Sequence, residues 1–517
     1  MLESAERLES VANCRGGEFV DALTLSAGLA SVLSCILAGT ISMARSARGM
    51  IGTNHASAGG GPRVRFHEEA CLRCQRSITG IIEPRRYVKI LISYHNFVRD
   101  YRGSLLLKYA LEALGHRVWL RPHWDEDVRF ATVKEVDVVL ACQIAEESTS
   151  YIGKFTSAHG VHLVINSSEQ VAATEMFESL VAYDRTQLND SVISLQVIAS
   201  RELKDFIDQH PNIHHKEKYN LLGFPRLDLS LDPALRNIET ASMEQRYGLT
   251  GFKKRLLYVS SLLFEETFTD VGRRDMETWK YADLIETNHA LRRFHEPILE
   301  GLLEQYLGAD GVLLIKKHPW DMSDHFERRF KHPNVRILDH SEYIVPSLAC
   351  ADAVIHSFST SALEAWILGK PTISLLPAED RARLSLNHMT DEVFASSLAD
   401  ILAYLKAYPR TDLIKSVDRI LGTLRDGKAT IRLAKEIHKL QPKPEKSLRR
   451  PSLRWRAREE GRWWLEERGL RRRRSLPTAN AKMRRLAAWE NQRGIVDGLY
   501  RGAFLDYVQR HRAELVV

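Results

Sequence analysis

Two short runs in the second half of this 517-residue chain collect residue types that handle phosphate. The first, Lys316-Lys317-His318-Pro319, follows the apolar run Val312 to Ile315. A strand there delivers two ammonium groups and an imidazole at its carboxyl end, where open parallel sheets bind their ligands, and such a cationic cluster suits a phosphate. The second, Asp352 to Leu363 (DAVIHSFSTSAL), reads as a strand entering a helix whose first turn carries Ser357, Ser359, Thr360 and Ser361. Hydroxyls and backbone N–H groups at a helix start form an anion site. Glu364, one turn into that helix, is a carboxylate able to accept hydrogen bonds from sugar hydroxyls, and Gly369-Lys370-Pro371 stops the helix before a buried strand. Standing alone, the lysines would be merely solvated and His318 a packing residue. The combination points to a phosphate-bearing ligand, with the two clusters expected on adjacent strand ends.

The first half offers polar loops at comparable places. His95-Asn96-Phe97-Val98-Arg99-Asp100 follows the opening strand, and Asn166-Ser167-Ser168-Glu169-Gln170 follows Val161 to Ile165. In Tyr219 to Asp228 (YNLLGFPRLD), Gly223 and Pro225 shape a turn that leaves Arg226 either to meet a phosphate or to pair with Asp228 at the surface.

These residues need a scaffold. The first convincing strand is Tyr87 to Ser93, followed by an amphipathic helix from about Gly103 to Leu114, a Gly115 stop and a strand at Arg117 to Leu120. This βαβ opening implies a parallel sheet. Val136 to Ala141, Val161 to Ile165 and Val192 to Ala199 continue it. A second series runs from Arg255 to Ser260 through Val312 to Lys316, Val335 to Ile337, Ala353 to His356 and Thr372 to Leu375. The expected fold is α/β, two Rossmann-like doubly wound domains in tandem with a basic helical C-terminal extension. Its divisions are a poorly ordered extension over 1–86, a first Rossmann-like domain over 87–246, a second over 253–440 and a Trp/Arg-rich tail over 441–517.

Charge is segregated. From Gln441 to Val517 there are 20 Lys and Arg against nine Asp and Glu, so the net +7 of the chain belongs to this tail. Arg454-Trp455-Arg456, Arg462-Trp463-Trp464 and Arg471 to Arg474 fit an anionic membrane surface, where indoles favour the interface and arginines the headgroups. The competing readings are a solvated helix whose tryptophans pack on the body, and a nucleic-acid contact through Arg471 to Arg474, the last not expected to prevail. Val20 to Ala44 is long enough for a bilayer but diluted by Asp21 and by serines and threonines. Six scattered cysteines suit a reducing cytoplasm, and Cys71 with Cys74 lacks the second pair that a structural zinc site wants. The chain has no GxGxxG after its first strand, no GxxxxGK[ST] and no GxSxG, which disfavours a dinucleotide redox enzyme, a P-loop ATPase and a serine hydrolase.

The segment STSALEAWILGKPTISL resembles the donor half of GT-B glycosyltransferases, with its Ser/Thr turn, Leu-Glu-Ala helix and Gly-Lys-Pro-hydrophobic strand. Joined to the earlier Lys-His-Pro, it is similar to bacterial surface-carbohydrate and capsule enzymes, among them sialyltransferases, Kdo transferases and glycerophosphotransferases. Within the first domain, GSLLLKYALEALGHRVWL and the Gly-x-Pro-Arg-x-Asp of Tyr219 to Asp228 are similar to the same proteins, so the resemblance covers roughly Tyr87 to Leu405. It implies transfer of a sugar or related unit from a nucleotide-activated donor, commonly cytidine-based, to a surface-polysaccharide or lipid-linked glycan; with no DxD motif on a suitable strand end, and Lys317, His318 and helix dipoles to meet the leaving phosphate, neither metal nor resident cofactor is expected. By that resemblance His318 would contact the donor phosphate or ribose, Ser359, Thr360 and Ser361 the phosphate, and Glu364 the ribose; Lys317, by its charge, and Arg226, by its turn, are the further phosphate candidates. Relatives often carry an acidic cluster where this chain keeps only Glu169, which leaves Glu169, Asp100 and His95 as competing catalytic bases. The place implied is the cytoplasm, with the inner face of the plasma membrane within reach of the tail. A sugar-nucleotide 2-epimerase of GT-B shape would share the donor-site features.

Overall fold

The computed structural model describes residues 87–94, 96–122, 127–141, 146–166, 192–211, 213, 215–262, 282–319, 321, 323–357, 359–381, 393–407, 412–443 and 481–516. All belong to the compact unit Pro84–Val517. His95, Glu169, the Cys71 and Cys74 pair, the Val20 to Ala44 run and the Trp/Arg clusters of the tail lie outside the described residues.

Short Val/Ile/Leu-rich segments separated by helices can bury both faces only in a parallel sheet. Two such sheets form. The first contains β1 (Lys89–Tyr94), β2 (Arg117–Pro122), β3 (Val138–Ala141), β4 (His162–Ile165), β5 (Ile193–Ile198) and β6 (Tyr219–Leu221), in the order β2-β1-β3-β4-β5-β6. The second contains β7 (Lys254–Val259), β8 (Gly311–Lys316), β9 (Val335–Leu338), β10 (Ala353–His356), β11 (Thr372–Leu375) and β12 (Val393–Ala395), in the order β12-β11-β10-β7-β8-β9. All ten pairings are parallel. These are two Rossmann-like lobes in tandem, the GT-B arrangement expected from the sequence. Strand order reverses between β1 and β3 in the first sheet and between β7 and β10 in the second, and such reversals open the crevices where α/β sheets take ligands.

Seven helices matter for the site: α1 (Phe97–Ala113), α2 (Pro225–Leu231), α3 (Ala282–Leu302), α4 (Ile344–Cys350), α5 (Ser361–Ile367), α6 (Ala429–Lys439) and α7 (Ala481–Arg510). Asn96 caps α1 by accepting from the N–H groups of Val98 and Arg99, and Gly115, at φ 86°, turns the chain into β2. Leu105, Leu106, Leu107, Ala110 and Leu111 bury the face of α1 that meets its own sheet and its helical neighbours.

The chain then crosses back. After the second sheet, α6 returns to the first lobe, where His438 Nδ1 lies 2.8 Å from His116 Nε2. Burial, together with the neighbouring His438, pushes His116 down to about 4, so this imidazole is uncharged at neutral pH. Helix α7 follows and docks on the first lobe. Its Val496, Tyr500, Phe504, Tyr507 and Val508 join the same apolar cluster as Phe97, Tyr101 and Leu105 of α1, to which Tyr343, Val345, Leu363 and Trp366 of the second lobe also belong. Tyr101 OH donates to Asp497 at 2.5 Å and Arg510 pairs with Asp232 at 2.8 Å. Over 481–516 the chain is helical, and this part packs into the core rather than standing off as a solvated appendage. Among the described residues no helix is long and apolar enough to cross a membrane.

Candidate functional site

Strand β8 ends in the Lys316 to Pro319 run. Lys316 is buried, and its Nζ donates to the carbonyl oxygens of Lys317 at 2.9 Å and His340 at 3.2 Å. Burial pulls its ammonium down to about 8, against the nearby Glu342 and Asp339 charges. Lys317 turns into its own loop, donating to the Ser323 carbonyl at 2.6 Å and to Glu327 Oε1 at 2.8 Å. Asp321 closes that loop, its N–H on the His318 carbonyl and its Oδ1 accepting from the N–H and hydroxyl of Ser323. The expected cationic cluster is therefore a braced loop, with both ammonium groups on protein acceptors and His318 half-buried at its lip.

Strand β10 ends in His356 and Ser357, both completely buried. Burial holds His356 well below its ordinary range, at about 4, and its Nδ1 accepts from the N–H of Ser359 at 3.4 Å. The Ser357 hydroxyl has no hydrogen-bond partner among the described residues. Ser359, Thr360 and Ser361 are half-buried, and Ser359 Oγ accepts from the N–H of Ser361, which fixes the turn into α5. The two clusters do not sit on adjacent strands. Strand β7 lies between β8 and β10, so they flank its end, where Ser260 is buried with its Oγ accepting from the N–H of Leu262. The sequence marks strands by apolar runs but carries no direct signal of their lateral order, so the interposed β7 is a finding of the structure. Ser260 had one legible sign, a hydroxyl directly after a buried strand.

Glu364 and Arg226 come together. Arg226 Nη1 donates to Glu364 Oε1 at 2.7 Å, and the two side chains are 5% and 3% exposed. The pair joins the lobes, since Arg226 opens α2 on the first and Glu364 lies on α5 of the second. The surface pairing of Arg226 with Asp228 weighed from the sequence does not form. Asp228 is buried and accepts from the N–H groups of Ala429 at 2.9 Å and Thr430 at 2.7 Å, and from Tyr507 OH at 3.0 Å. It caps the start of α6. The turn before it has the expected shape, with Gly223 at φ 77° and Pro225 at the first position of α2.

A second cross-lobe contact was not legible. Arg102 on α1 is buried, donates to Glu239 Oε1 at 2.9 Å and lies 4.5 Å from the ring centre of Tyr343, at the start of α4 in the second lobe. Arginine over an aromatic face is a favourable contact that strengthens when water is excluded.

On the acceptor side, Asp100 is 4% exposed and engaged with neighbouring donors. It accepts from the N–H of Asn96 at 2.9 Å and from Arg99 Nε at 2.7 Å. The acid thus reaches back to the N-cap N–H as in a capping box, one residue further along the helix than the usual third position. Among the described residues no three His, Cys, Asp or Glu side chains converge as a metal site.

No protein-family model matches the chain, and neither does any curated protein sequence. Solved structures do. The wall teichoic acid polymerase TagF matches at 11% identity over 72% of this chain and 93% of its own, with a TM-score of 0.47. A UDP-GlcNAc 2-epimerase from Neisseria meningitidis, bound to UDP-GlcNAc, matches at 13% identity over 68% of this chain and 100% of its own, with a TM-score of 0.44. A UDP-N-acetylglucosamine 2-epimerase-type protein from Listeria monocytogenes matches at 11% identity over 68% and 96%, with a TM-score of 0.41.

Proposed function

We propose that this chain is a GT-B glycosyltransferase that moves a sugar or related unit from a nucleotide-activated donor to a surface-polysaccharide or lipid-linked glycan acceptor. One observation carries the reading. Around the strand-order reversal of the second lobe, the hydroxyl-rich turn Ser357 to Ser361 and the His318 loop flank one strand end, and Glu364 one turn further on is held by Arg226 of the first lobe.

In this reading the donor phosphates lie against Ser359, Thr360, Ser361 and the N–H groups of that turn, with His318 at the opposite side and Lys317 bracing the loop that carries it. Glu364 takes the ribose, and Arg226 acts on the donor through Glu364. Protein donors meet the charge that develops on the departing phosphate, so the proposed transfer is metal-independent, and the nucleotide sugar, cytidine-based by resemblance, is a co-substrate rather than a resident cofactor. Approach of the lobes excludes water and favours transfer over hydrolysis. Of the three candidate bases, Asp100 is already occupied as a helix cap, and His95 and Glu169 lie outside the described residues; Glu169 is assigned the acceptor proton. Contact of the tail with an anionic inner-membrane surface would bring a lipid-linked acceptor within reach.

Calorimetry with cytidine, uridine and guanosine diphosphates tests the donor site. His318→Ala and Glu364→Ala are expected to weaken binding of one of them, and wild-type affinity in both variants refutes the assignment. Incubating nucleotide sugars without acceptor separates the classes, because accumulation of an epimerised sugar would replace transfer by 2-epimerisation.

A further inference from the structure

The carboxylate of Glu364 is only half satisfied. Arg226 holds Oε1, whereas Oε2 is shielded from solvent and has no hydrogen-bond partner among the described residues. A buried carboxylate oxygen without a donor is costly, and Nε and Nη2 of Arg226 are likewise buried without a partner among the described residues, so the pair leaves one acceptor and two donors for the hydroxyl groups of a ligand.

Arg226 is unusually well anchored for a residue that makes one hydrogen bond. Its backbone lies against Gly103 of α1, where a Cβ would come within 2.7 Å of the Arg226 nitrogen, so only glycine lets α1 and α2 approach this closely. Two residues further on, Asp228 ties α2 to the start of α6 and to Tyr507 of α7. Three helices of the first lobe thus fix the stem of Arg226, and through its Nη1 they fix a carboxylate of the second.

Resting on the donor reading above, we infer that Arg226 is a positioning residue: it holds Glu364 Oε1 from the first lobe so that Oε2 is presented to a ribose hydroxyl of the donor nucleotide. Recognition of the ribose is then shared between the lobes, and a donor is held by its sugar only while they are in contact. Arg226 touches no phosphate in this arrangement.

The experiment pairs protein variants with ligand variants. Wild type, Arg226→Met, Glu364→Gln, the Arg226→Met/Glu364→Gln double variant and Gly103→Ala are titrated with cytidine and uridine diphosphates, with their 2′-deoxy and 3′-deoxy forms, and with inorganic pyrophosphate. Wild type is expected to prefer the ribonucleotide over one deoxy form by roughly tenfold or more, as a hydrogen bond to a charged group warrants. Both single variants and the double variant are expected to lose that preference to the same extent, with pyrophosphate affinity unchanged. Gly103→Ala is expected to reduce the preference without altering any residue at the site. The double variant buries no unpaired charge, and it keeps the comparison available if a single variant fails to fold.

An undiminished ribose preference in Arg226→Met or in the double variant overturns the positioning role and leaves the donor site standing. Equal loss for ribo, deoxy and pyrophosphate ligands makes Arg226 a phosphate ligand instead. Failure of wild type to bind any nucleoside diphosphate overturns the donor reading, and the positioning role with it.

Discussion

Replacing Asp228 by Asn is expected to remove a specific pH dependence from the stability of the protein. Asp228 is completely buried, and burial raises its carboxyl from 3.8 to about 6, against the opposing pull of the Thr430, Ala429 and Tyr507 donors. Because the native value exceeds the unfolded one, the native state binds a proton over a range in which the unfolded chain does not. Native stability therefore rises as pH falls from above 6 towards 3.8, and the charged form carries its penalty above 6. The difference of about 2 pH units corresponds to roughly 3 kcal/mol. Other carboxylates titrate in the same window, but they are common to both proteins and cancel in the difference. Urea unfolding at intervals from pH 4 to pH 8 should give profiles for wild type and Asp228→Asn that converge or diverge by about 3 kcal/mol across the window, with wild type gaining on the acid side. Parallel profiles would refute the assignment of a raised carboxyl to this helix cap. A Tyr507→Phe variant, which removes one of its donors, should move the wild-type inflection to higher pH.

Arg226→Ala should destabilise by roughly 3–5 kcal/mol, because it leaves Glu364 charged and unpaired in the interior, whereas Arg226→Met/Glu364→Gln should lie much closer to wild type; denaturant midpoints compare them, and an additive cycle would deny the coupling. Phe504→Ala should cost about 3–5 kcal/mol for a side chain with no exposure, measured by chemical denaturation, while a value within about 0.5 kcal/mol would return α7 to the status of a solvated extension.

Fold class was legible because buried parallel strands announce themselves as continuous apolar runs. Ala353 to His356 and Thr372 to Leu375 begin and end where the apolar runs place them. The short edge strands Tyr219–Leu221 and Val393–Ala395 were not marked, since three residues give no periodicity to recognise. In the second lobe's candidate site, residue types such as those of Ser359 and Glu364 can be read from local chemistry. Their partners were not. Arg226 and Glu364 are separated by 138 residues and meet only because two sheets pack, and the lysines that looked like free charge are consumed by carbonyls a few residues away. Tyr500, Phe504 and Tyr507 lie in a segment whose charge reads as solvated, and the apolar stripe on α7 is masked by the arginines around it.

The seating of α7 on α1 also governs when the protein can finish folding. Tyr101 and Asp497 are 396 residues apart, and Tyr507 and Asp228 are 279 apart, so the first lobe lacks part of its core until the end of the chain has been synthesised. The second lobe, whose strands are contiguous in sequence, can close its sheet while the earlier lobe still presents an apolar face along α1. Among the described residues, then, a core element of the lobe made first is made last, and it joins that lobe through contacts of large sequence separation, the kind whose loop-closure entropy slows folding.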